Sequence, residues 1–433
     1  MDFESEVIFM SNCAIVGINW GDEGKGRMVD LIIKDYDVVV RYQGGSNAGH
    51  TVINEYGKHA LHLVPSGIFS KGVANVLGCG VVINLQSLWG ELEKLMEAGV
   101  PVTPENFKIS DRAAITMPYH VRMDQLEEQR LKDKKYGSTL QGIAPVYSDK
   151  YQKKTIMMGE LLHPEYLKKR LKDILEWKNL IMTGTYGAEP MDFDELMAWV
   201  ETYGEKLKPF VCDTAAFLRK AQKDGKNILF EAQLGALRDL DLGIYPYTTS
   251  SNTTAGYACV GAGIPGSRLD RIVGVVKAYS TCVGEGPFTC EWFGKEAETL
   301  REAGGEYGAS TGRPRRVGPI DYVATRYGVE VQCATEIALT KLDVLSYMKE
   351  IPICVGYKLD GKRIDSFPFP ADLDRAEPII ETMPGWNCDI SGVREFSKLP
   401  EAAQNYVLAI EKAIGCPITY VSVGAAREEI ILR

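Results

Sequence analysis

Seven short stretches of the chain are apolar almost throughout: Cys13–Ile18, Asp37–Val40, Val81–Leu85, Ile228–Phe230, Ile272–Val276, Ile351–Val355 and Ile418–Val421. A strand with one wet face alternates apolar and polar residues. A strand covered on both faces does not, because neither set of its side chains meets water. Such runs predict a parallel sheet enclosed between layers of helix. Helical periodicity fills the intervals, in Pro164–Trp177, Asp194–Ala221 and Glu401–Ile414. The alternation predicts an α/β fold with a large, mostly parallel central sheet flanked by helices. Lys358-Leu359-Asp360-Gly361-Lys362 predicts a hairpin, since Asp-Gly suits the primed turns, so a small antiparallel subdomain is expected late in the chain.

No low-complexity linker or internal repeat divides the 433 residues. One domain over 1–433 is expected, with a helical insertion at about 111–225 and a core, 10–433, that follows an N-terminal extension. The net charge of −9 argues against broad binding to nucleic acid or to an anionic membrane surface. Ten cysteines stand singly, with no CxxC pair and no zinc spacing, which suits reduced thiols in a cytoplasmic protein. No apolar run has the length of a membrane span, and the acidic first nine residues are not read as a secretory signal.

Five loops carry the chemistry. Gly17-Ile18-Asn19-Trp20-Gly21-Asp22-Glu23-Gly24-Lys25-Gly26-Arg27 follows the first strand. Its glycines let main-chain N–H groups approach a polyphosphate, and a helix opening there adds its positive end. Lys25 can reach phosphates, whereas a carboxylate at Asp22 is repelled by them unless it binds a metal or moves a proton. The loop is not a standard Walker A, because Asn19 and Gly26 stand where Gly and Ser or Thr belong. Arg41-Tyr42-Gln43-Gly44-Gly45-Ser46-Asn47-Ala48-Gly49-His50-Thr51 follows a second strand, so both loops should face one crevice. Asp22 and His50 then form a candidate base and acid.

Thr340-Lys341-Leu342-Asp343 offers a carboxylate for the two adjacent N–H donors of guanine and a lysine stem for its face; a solvated element end reads the same way. Gly308–Arg316 surrounds three arginines with glycine and hydroxyls, a composition suited to anions. Pro246–Gly256 is rich in hydroxyls without charge, and reads either as a self-capping turn or as a cradle for a monophosphate.

Taken in order, WGDEGKG, QGGSNAGHT, YPYTTSSNTTAG, KAYSTCVGEGPF, STGRPRRVG and TKLDVL resemble the blocks of adenylosuccinate synthetase, across nearly the whole chain. The resemblance implies a P-loop-related fold and a GTP-dependent ligase of purine nucleotide biosynthesis. It joins L-aspartate to IMP through a 6-phosphoryl intermediate and yields adenylosuccinate, GDP and phosphate. It further implies Mg²⁺ and a homodimer. By the same resemblance Asp22 is the base and, with the Gly49 carbonyl, a Mg²⁺ ligand; His50 is the acid; Lys25 neutralises phosphate charge. Glu23, Gly24, Gly26, Thr51, Arg315, Lys341, Asp343, Ser422 and Gly424 would join Lys25 and Gly49 around GTP. Asn47, Thr139, Gln233, Thr249 and Arg313 would surround IMP with Asp22, and Ser310, Thr311 and Arg313 would hold aspartate.

The chain departs from the family at several points. Leu140-Gln141-Gly142-Ile143-Ala144-Pro145 replaces Gly-Arg-Gly-Ile-Gly-Pro, and Lys153 replaces an arginine that reaches the neighbouring subunit's IMP. Gln233 stands one residue early in Glu231-Ala232-Gln233-Leu234-Gly235, while Cys282 and Pro319 replace Arg and Trp. Two rivals follow. One is a phage-like relative that joins aspartate to dGMP, in which the Asp is often a smaller residue. The other is a GTP-binding switch protein, which needs no second anion site.

Overall fold

The computed structural model describes residues 11–47, 49–54, 56–134, 136–308 and 312–433. The expected N-terminal extension, residues 1–9, lies outside them with Met10, as do the aspartate-site candidates Ser310 and Thr311.

A ten-stranded sheet forms the centre. Its order is Ile430–Leu432, Ile418–Ser422, Glu336–Thr340, Arg271–Lys277, Asn12–Gly17, Ile228–Glu231, Val38–Arg41, Ala74–Leu77, Phe107–Ser110 and Val211–Cys212. All neighbours pair in parallel except the last two strands of the chain, Ile418–Ser422 and Ile430–Leu432, which pair antiparallel. The apolar runs are explained by two opposite layers. Ala14, Val16, Val38, Val40, Ile228 and Phe230 pack against Leu218, Ala221, Ala258 and Ala262 on one face. Cys13, Ile15, Val39, Leu229, Val273 and Val275 pack against Met28, Val29, Ile32 and Ile33 on the other. Both side-chain sets of each strand are thus dry.

Two of the seven runs lie elsewhere. Val82 and Ile83 pair with Ala114 and Ile115 outside the main sheet, and Asn84 then caps the helix Leu85–Glu97 by accepting from Ser87 N–H at 3.0 Å. Glu350–Leu359 belongs to a four-stranded side sheet, parallel to Ile320–Asp321 and antiparallel to Lys362–Ile364 and Glu377–Pro384. The predicted hairpin is there, with Asp360 and Gly361 at φ 50° and 79°, the positive angles of a primed turn. The expected long helix Asp194–Ala221 is two helices, Phe193–Leu207 and Thr214–Lys223. Pro209 lacks the N–H to continue the first, and Asp213 caps the second through Ala216 N–H at 2.8 Å. The helix from Pro164 runs on to Tyr186 and stops at Gly187, φ 61°.

The helix Tyr322–Gln332 presses directly on the end of the first strand. A Cβ on Gly328 would lie 2.0 Å from the Ile18 carbonyl oxygen. Gly328→Ala is expected to cost about 1–3 kcal/mol, seen as a lower midpoint in urea denaturation.

Candidate active site

Parallel strands send their carboxyl ends to one edge, and the chain leaves three of them, Asn12–Gly17, Val38–Arg41 and Glu336–Thr340, straight into predicted loops. The strand Asn12–Gly17 opens the glycine loop, in which Gly21, Asp22 and Gly24 take φ of 106°, 60° and 102°. Aspartate is among the few side chains that tolerate that region. Gly24 N-caps the helix Lys25–Ile32 with no side-chain cap, so its first-turn N–H groups remain available to an anion. Glu23 folds the loop on itself. Its Oε1 accepts from Gly21 N–H at 2.8 Å and Asn19 N–H at 3.2 Å, and its Oε2 from Lys25 Nζ at 2.7 Å, with both charges buried. Lys25, expected to serve phosphates, is therefore held by a counter-charge within its own loop.

His50 opens the strand His50–Asn54 of a two-stranded hairpin; it does not sit in an open loop. It lies against the glycine loop, since a Cβ on Gly26 would come 2.9 Å from His50 Cβ. Its Nδ1 is 2.5 Å from Glu231 Oε1, and its buried Nε2 has no hydrogen-bond partner. Glu231 ends the strand Ile228–Glu231 and also accepts from Ser66 Oγ at 2.6 Å and Ser66 N–H at 2.8 Å. Arg41, wholly buried, places Nη1 3.7 Å from the same carboxylate and donates Nη2 to the His62 carbonyl at 2.9 Å. Burial pushes Glu231 up, but the His50 contact, Arg41 and Ser66 outweigh it and draw it down to about 2. Burial also lowers His50, more than Glu231 raises it. The stable arrangement is a carboxylate accepting Nδ1–H from a neutral imidazole, which aims the Nε2 lone pair away from Glu231. Polyphosphate charge beside Nε2 would raise the imidazole's proton affinity and let it carry the proton an acid needs.

The guanine candidate also coheres. Lys341, at φ 60°, donates Nζ to the Gly304 carbonyl at 2.5 Å and to Glu306 Oε1 at 2.9 Å. Asp343 keeps a buried Oδ1 without a partner, and burial pushes its carboxyl up. Arg27 spans to the last loop. It donates to Ser422 Oγ at 2.5 Å, Gly424 O at 2.6 Å, Ala426 O at 2.5 Å and Glu429 O at 3.1 Å. Thr340 Oγ1 donates to Glu23 O at 2.8 Å, tying this turn to the glycine loop. Arg315 joins the two regions, with Nη2 3.0 Å from Asp22 Oδ2 and Nη1 2.7 Å from Glu306 Oε2.

Gln233, although one residue early, brings Nε2 to 3.0 Å from Gly45 O, beside Asn47, whose Oδ1 accepts from Gly45 N–H at 3.3 Å. Gln43 links it onward, donating to Gln233 O at 2.8 Å and accepting from Ser251 Oγ at 2.9 Å. Gln233 Oε1 and Thr249 Oγ1 are both buried without a partner. Gly49 lies against the His62 ring, and Thr51 follows His50 in its strand. Cys282 has a guanidinium beside it after all. Arg238 Nη2 donates to its Sγ at 3.1 Å and to Val283 O at 2.6 Å. Thr139, Arg313 and Lys153 are exposed; Lys153 stands at the left-handed C-cap of the helix Ile143–Gln152, φ 63°. Glu231, Arg41, Arg27, Lys277 and Glu306 are not singled out by sequence patterns. Their one signal is position, since Arg41, Glu231 and Lys277 each close an apolar strand.

No helix among the described residues is long and apolar enough to cross a membrane, and no group of three His, Cys, Asp or Glu is placed to hold a metal ion. An ion bound at Asp22, whose side chain is one-third exposed, would thus draw most of its ligands from phosphate oxygens and water. That donor set suits Mg²⁺.

Comparison with known proteins gives the family. The family model for adenylosuccinate synthetase matches residues 14–431. Adenylosuccinate synthetase of Caldanaerobacter subterraneus subsp. tengcongensis is 46% identical over 424 residues, covering 98% of this chain and 99% of that protein. That of Halothermothrix orenii is 45% identical over 425 residues, with the same coverage of 98% and 99%. The fully ligated adenylosuccinate synthetase structure from Plasmodium falciparum superposes with a TM-score of 0.91 at 36% identity, covering 98% of this chain and all of that one. The Cyanophage S-2L succinoaminodeoxyadenylate synthetase, bound to dGMP and dATP, shares the fold alone, with a TM-score of 0.61 at 17% identity over 98% and 95% of the two chains.

Glu231→Gln is expected to lower kcat by about 10²-fold while leaving the KM for nucleotide near its starting value. Adding it to His50→Ala should cost little more, because the carboxylate acts through the imidazole; steady-state kinetics of the three variants checks this. With the family model spanning residues 14–431 and relatives 45–46% identical over nearly the full length, the chain belongs to the adenylosuccinate synthetases.

Proposed function

We propose that the chain is a GTP-dependent ligase that joins L-aspartate to IMP, giving adenylosuccinate, GDP and phosphate. The observation that carries this reading is the meeting, at the carboxyl edge of the parallel sheet, of a glycine loop bearing Asp22, a buried His50–Glu231 pair packed on that loop at Gly26 and an Arg315 bonded to Asp22. A GTP switch needs neither the acid–base pair nor a second anion site.

The 6-oxygen of hypoxanthine leaves poorly, so it must first be phosphorylated. Asp22 takes the proton from purine N1, and electron density passes to the 6-oxygen. That oxygen bonds the γ-phosphorus as the bridge to GDP breaks. First-turn N–H groups of the helix Lys25–Ile32 stabilise the phosphates, in keeping with a reaction driven by position and charge. The aspartate amine then bonds C6, the C6–O bond breaks with phosphate leaving, and the nitrogen releases its surplus proton to water. His50 Nε2 supplies the proton to that phosphate. Mg²⁺, held by the Asp22 carboxylate and the Gly49 carbonyl, would supply neutralisation of phosphate charge.

Asp343 and Lys341 read guanine, with Ser422 and Gly424 beside it; Gln233, Thr249, Asn47 and Thr139 surround IMP; Arg313, with Ser310 and Thr311, takes aspartate. The segment 111–225 acts as a subdomain that presents the exposed Lys153 to a partner subunit of a homodimer. A lysine keeps the charge of the usual arginine there but loses its bidentate fork.

Purified protein with Mg²⁺ should release GDP and phosphate from GTP in the presence of both IMP and L-aspartate, with the absorbance change of a 6-amino-substituted purine. Equal or faster turnover with dGMP would move the assignment to the phage-like reaction. Asp22→Asn is expected to abolish turnover while GTP binding, followed by calorimetry, stays within about threefold; near-normal turnover would remove Asp22 as the base.

A further inference from the structure

Glu306 has no exposed surface and lies just past the helix Gly294–Gly304. Four side chains donate to its carboxylate. Lys277 Nζ stands 3.0 and 2.9 Å from its two oxygens, the Tyr279 hydroxyl 2.6 Å, Lys341 Nζ 2.9 Å and Arg315 Nη1 2.7 Å. Burial pushes this carboxyl up, but the three cations and the hydroxyl hold it far below the usual carboxylate range. Lys277, buried among Glu306, Lys341, Arg315 and Asp22, is lowered to about 8, chiefly by burial.

One counter-ion would satisfy a buried carboxylate; three leave an excess of positive charge. Two of the three cations lead to functional loops. Arg315 extends its other nitrogen to Asp22 Oδ2 at 3.0 Å, and its own N–H donates to Glu306 O at 2.9 Å. Lys341 has its ammonium fixed between Glu306 and the Gly304 carbonyl, so the path of its aliphatic stem is set at both ends. Glu306 is therefore the shared anchor of the turn that faces the nucleotide base and of the arginine that faces Asp22.

We propose that Glu306 is a positioning residue that couples recognition of the GTP base to placement of Asp22, by fixing the Lys341 stem and the Arg315 guanidinium with one carboxylate. The proposal rests on the reading above of Asp22 and of Thr340–Asp343. An amide at 306 loses the charge that gathers the three cations, so both placements loosen together. Aspartate at 306 keeps the charge but retracts by one methylene.

The test compares GTP with ITP, which lacks the 2-amino group, as phosphoryl donors in the IMP- and aspartate-dependent assay. Glu306→Gln is expected to lower kcat with GTP by about tenfold or more and to shrink the GTP:ITP ratio of kcat/KM by about tenfold. Glu306→Asp should fall between this variant and the wild type in both quantities. A purely structural role lowers the active fraction, which scales both donors equally and leaves the ratio unmoved. An unchanged ratio in the variants overturns the coupling. If Glu306→Gln does not fold, Glu306→Asp decides alone: wild-type ratio and kcat overturn the proposal, and a fall in both supports it. A wild-type chain that turns over no GTP with IMP and aspartate overturns the assigned reaction as well, whereas wild-type turnover with unmoved variants overturns the coupling only.

Discussion

The charges buried at the carboxyl ends of the central strands stand in compensated sets, and those sets hold the site loops together. Removing an ion from water costs several kcal/mol even after relaxation, so an unpartnered lysine or glutamate would not stay at the end of a dry strand. Lys25 is buried with Glu23, Arg41 and His50 with Glu231, and Lys277 with Glu306, which the partly exposed Lys341 and Arg315 also bond. The Glu231 and Glu306 sets join segments far apart in sequence, so there the counter-charge fixes loop to loop as well as charge to charge, whereas Lys25–Glu23 closes one loop on itself. A parallel sheet makes this possible by delivering its carboxyl ends to one edge.

The same contacts set a length. The helix Lys25–Ile32 begins where phosphates are expected and, through Arg27, holds the loop of Ser422 and Gly424. Thr340 bonds Glu23 from the other side. The base end and the phosphate end of a nucleotide would thus be measured by one short helix and one hydrogen bond rather than by flexible segments. A nucleoside triphosphate is flexible between base and phosphates, so a rigid frame binds the extended forms whose span matches it and saves the cost of ordering the protein side.

Much of this was legible in the sequence, for physical reasons that also explain the gaps. Buried parallel strands show as unbroken apolar runs, so Asn12–Gly17, Ile228–Glu231 and Arg271–Lys277 are visible. Ala74–Leu77 and Phe107–Ser110 carry Asn75, Lys108 and Ser110 and are not. Glu350–Leu359 is apolar for a different reason, a long strand of a side sheet. The loops are legible because glycine and hydroxyl clusters are hard to explain otherwise. The partners that charge them are not. Glu231, Arg41, Lys277 and Glu306 are single charged residues whose meaning is a contact across the fold, and no local spacing encodes that. Arg238 is the clearest case: it returns a guanidinium to the side of Cys282 from 44 positions away.

The phage structure has the same fold with another purine bound, so fold alone does not choose the acceptor. On the proposed reading, the choice falls to polar atoms that only the right ligand satisfies. Gln233 Oε1 and Thr249 Oγ1 are buried with no protein partner, on segments that Gln43 and Ser251 tie together. Each such atom costs about 1–3 kcal/mol until something donates to it or accepts from it. A nucleotide that meets both recovers that cost on binding. One that meets neither leaves it in place, and loses affinity by the same amount without any clash. Discrimination by unmet hydrogen bonds of this kind requires that the atoms cannot turn elsewhere. For Gln233 this is met by its Nε2, which donates to the Gly45 carbonyl at 3.0 Å and the His62 carbonyl at 3.3 Å, in a slot that Gly44 leaves open, since a Cβ there would stand 2.4 Å from Oε1.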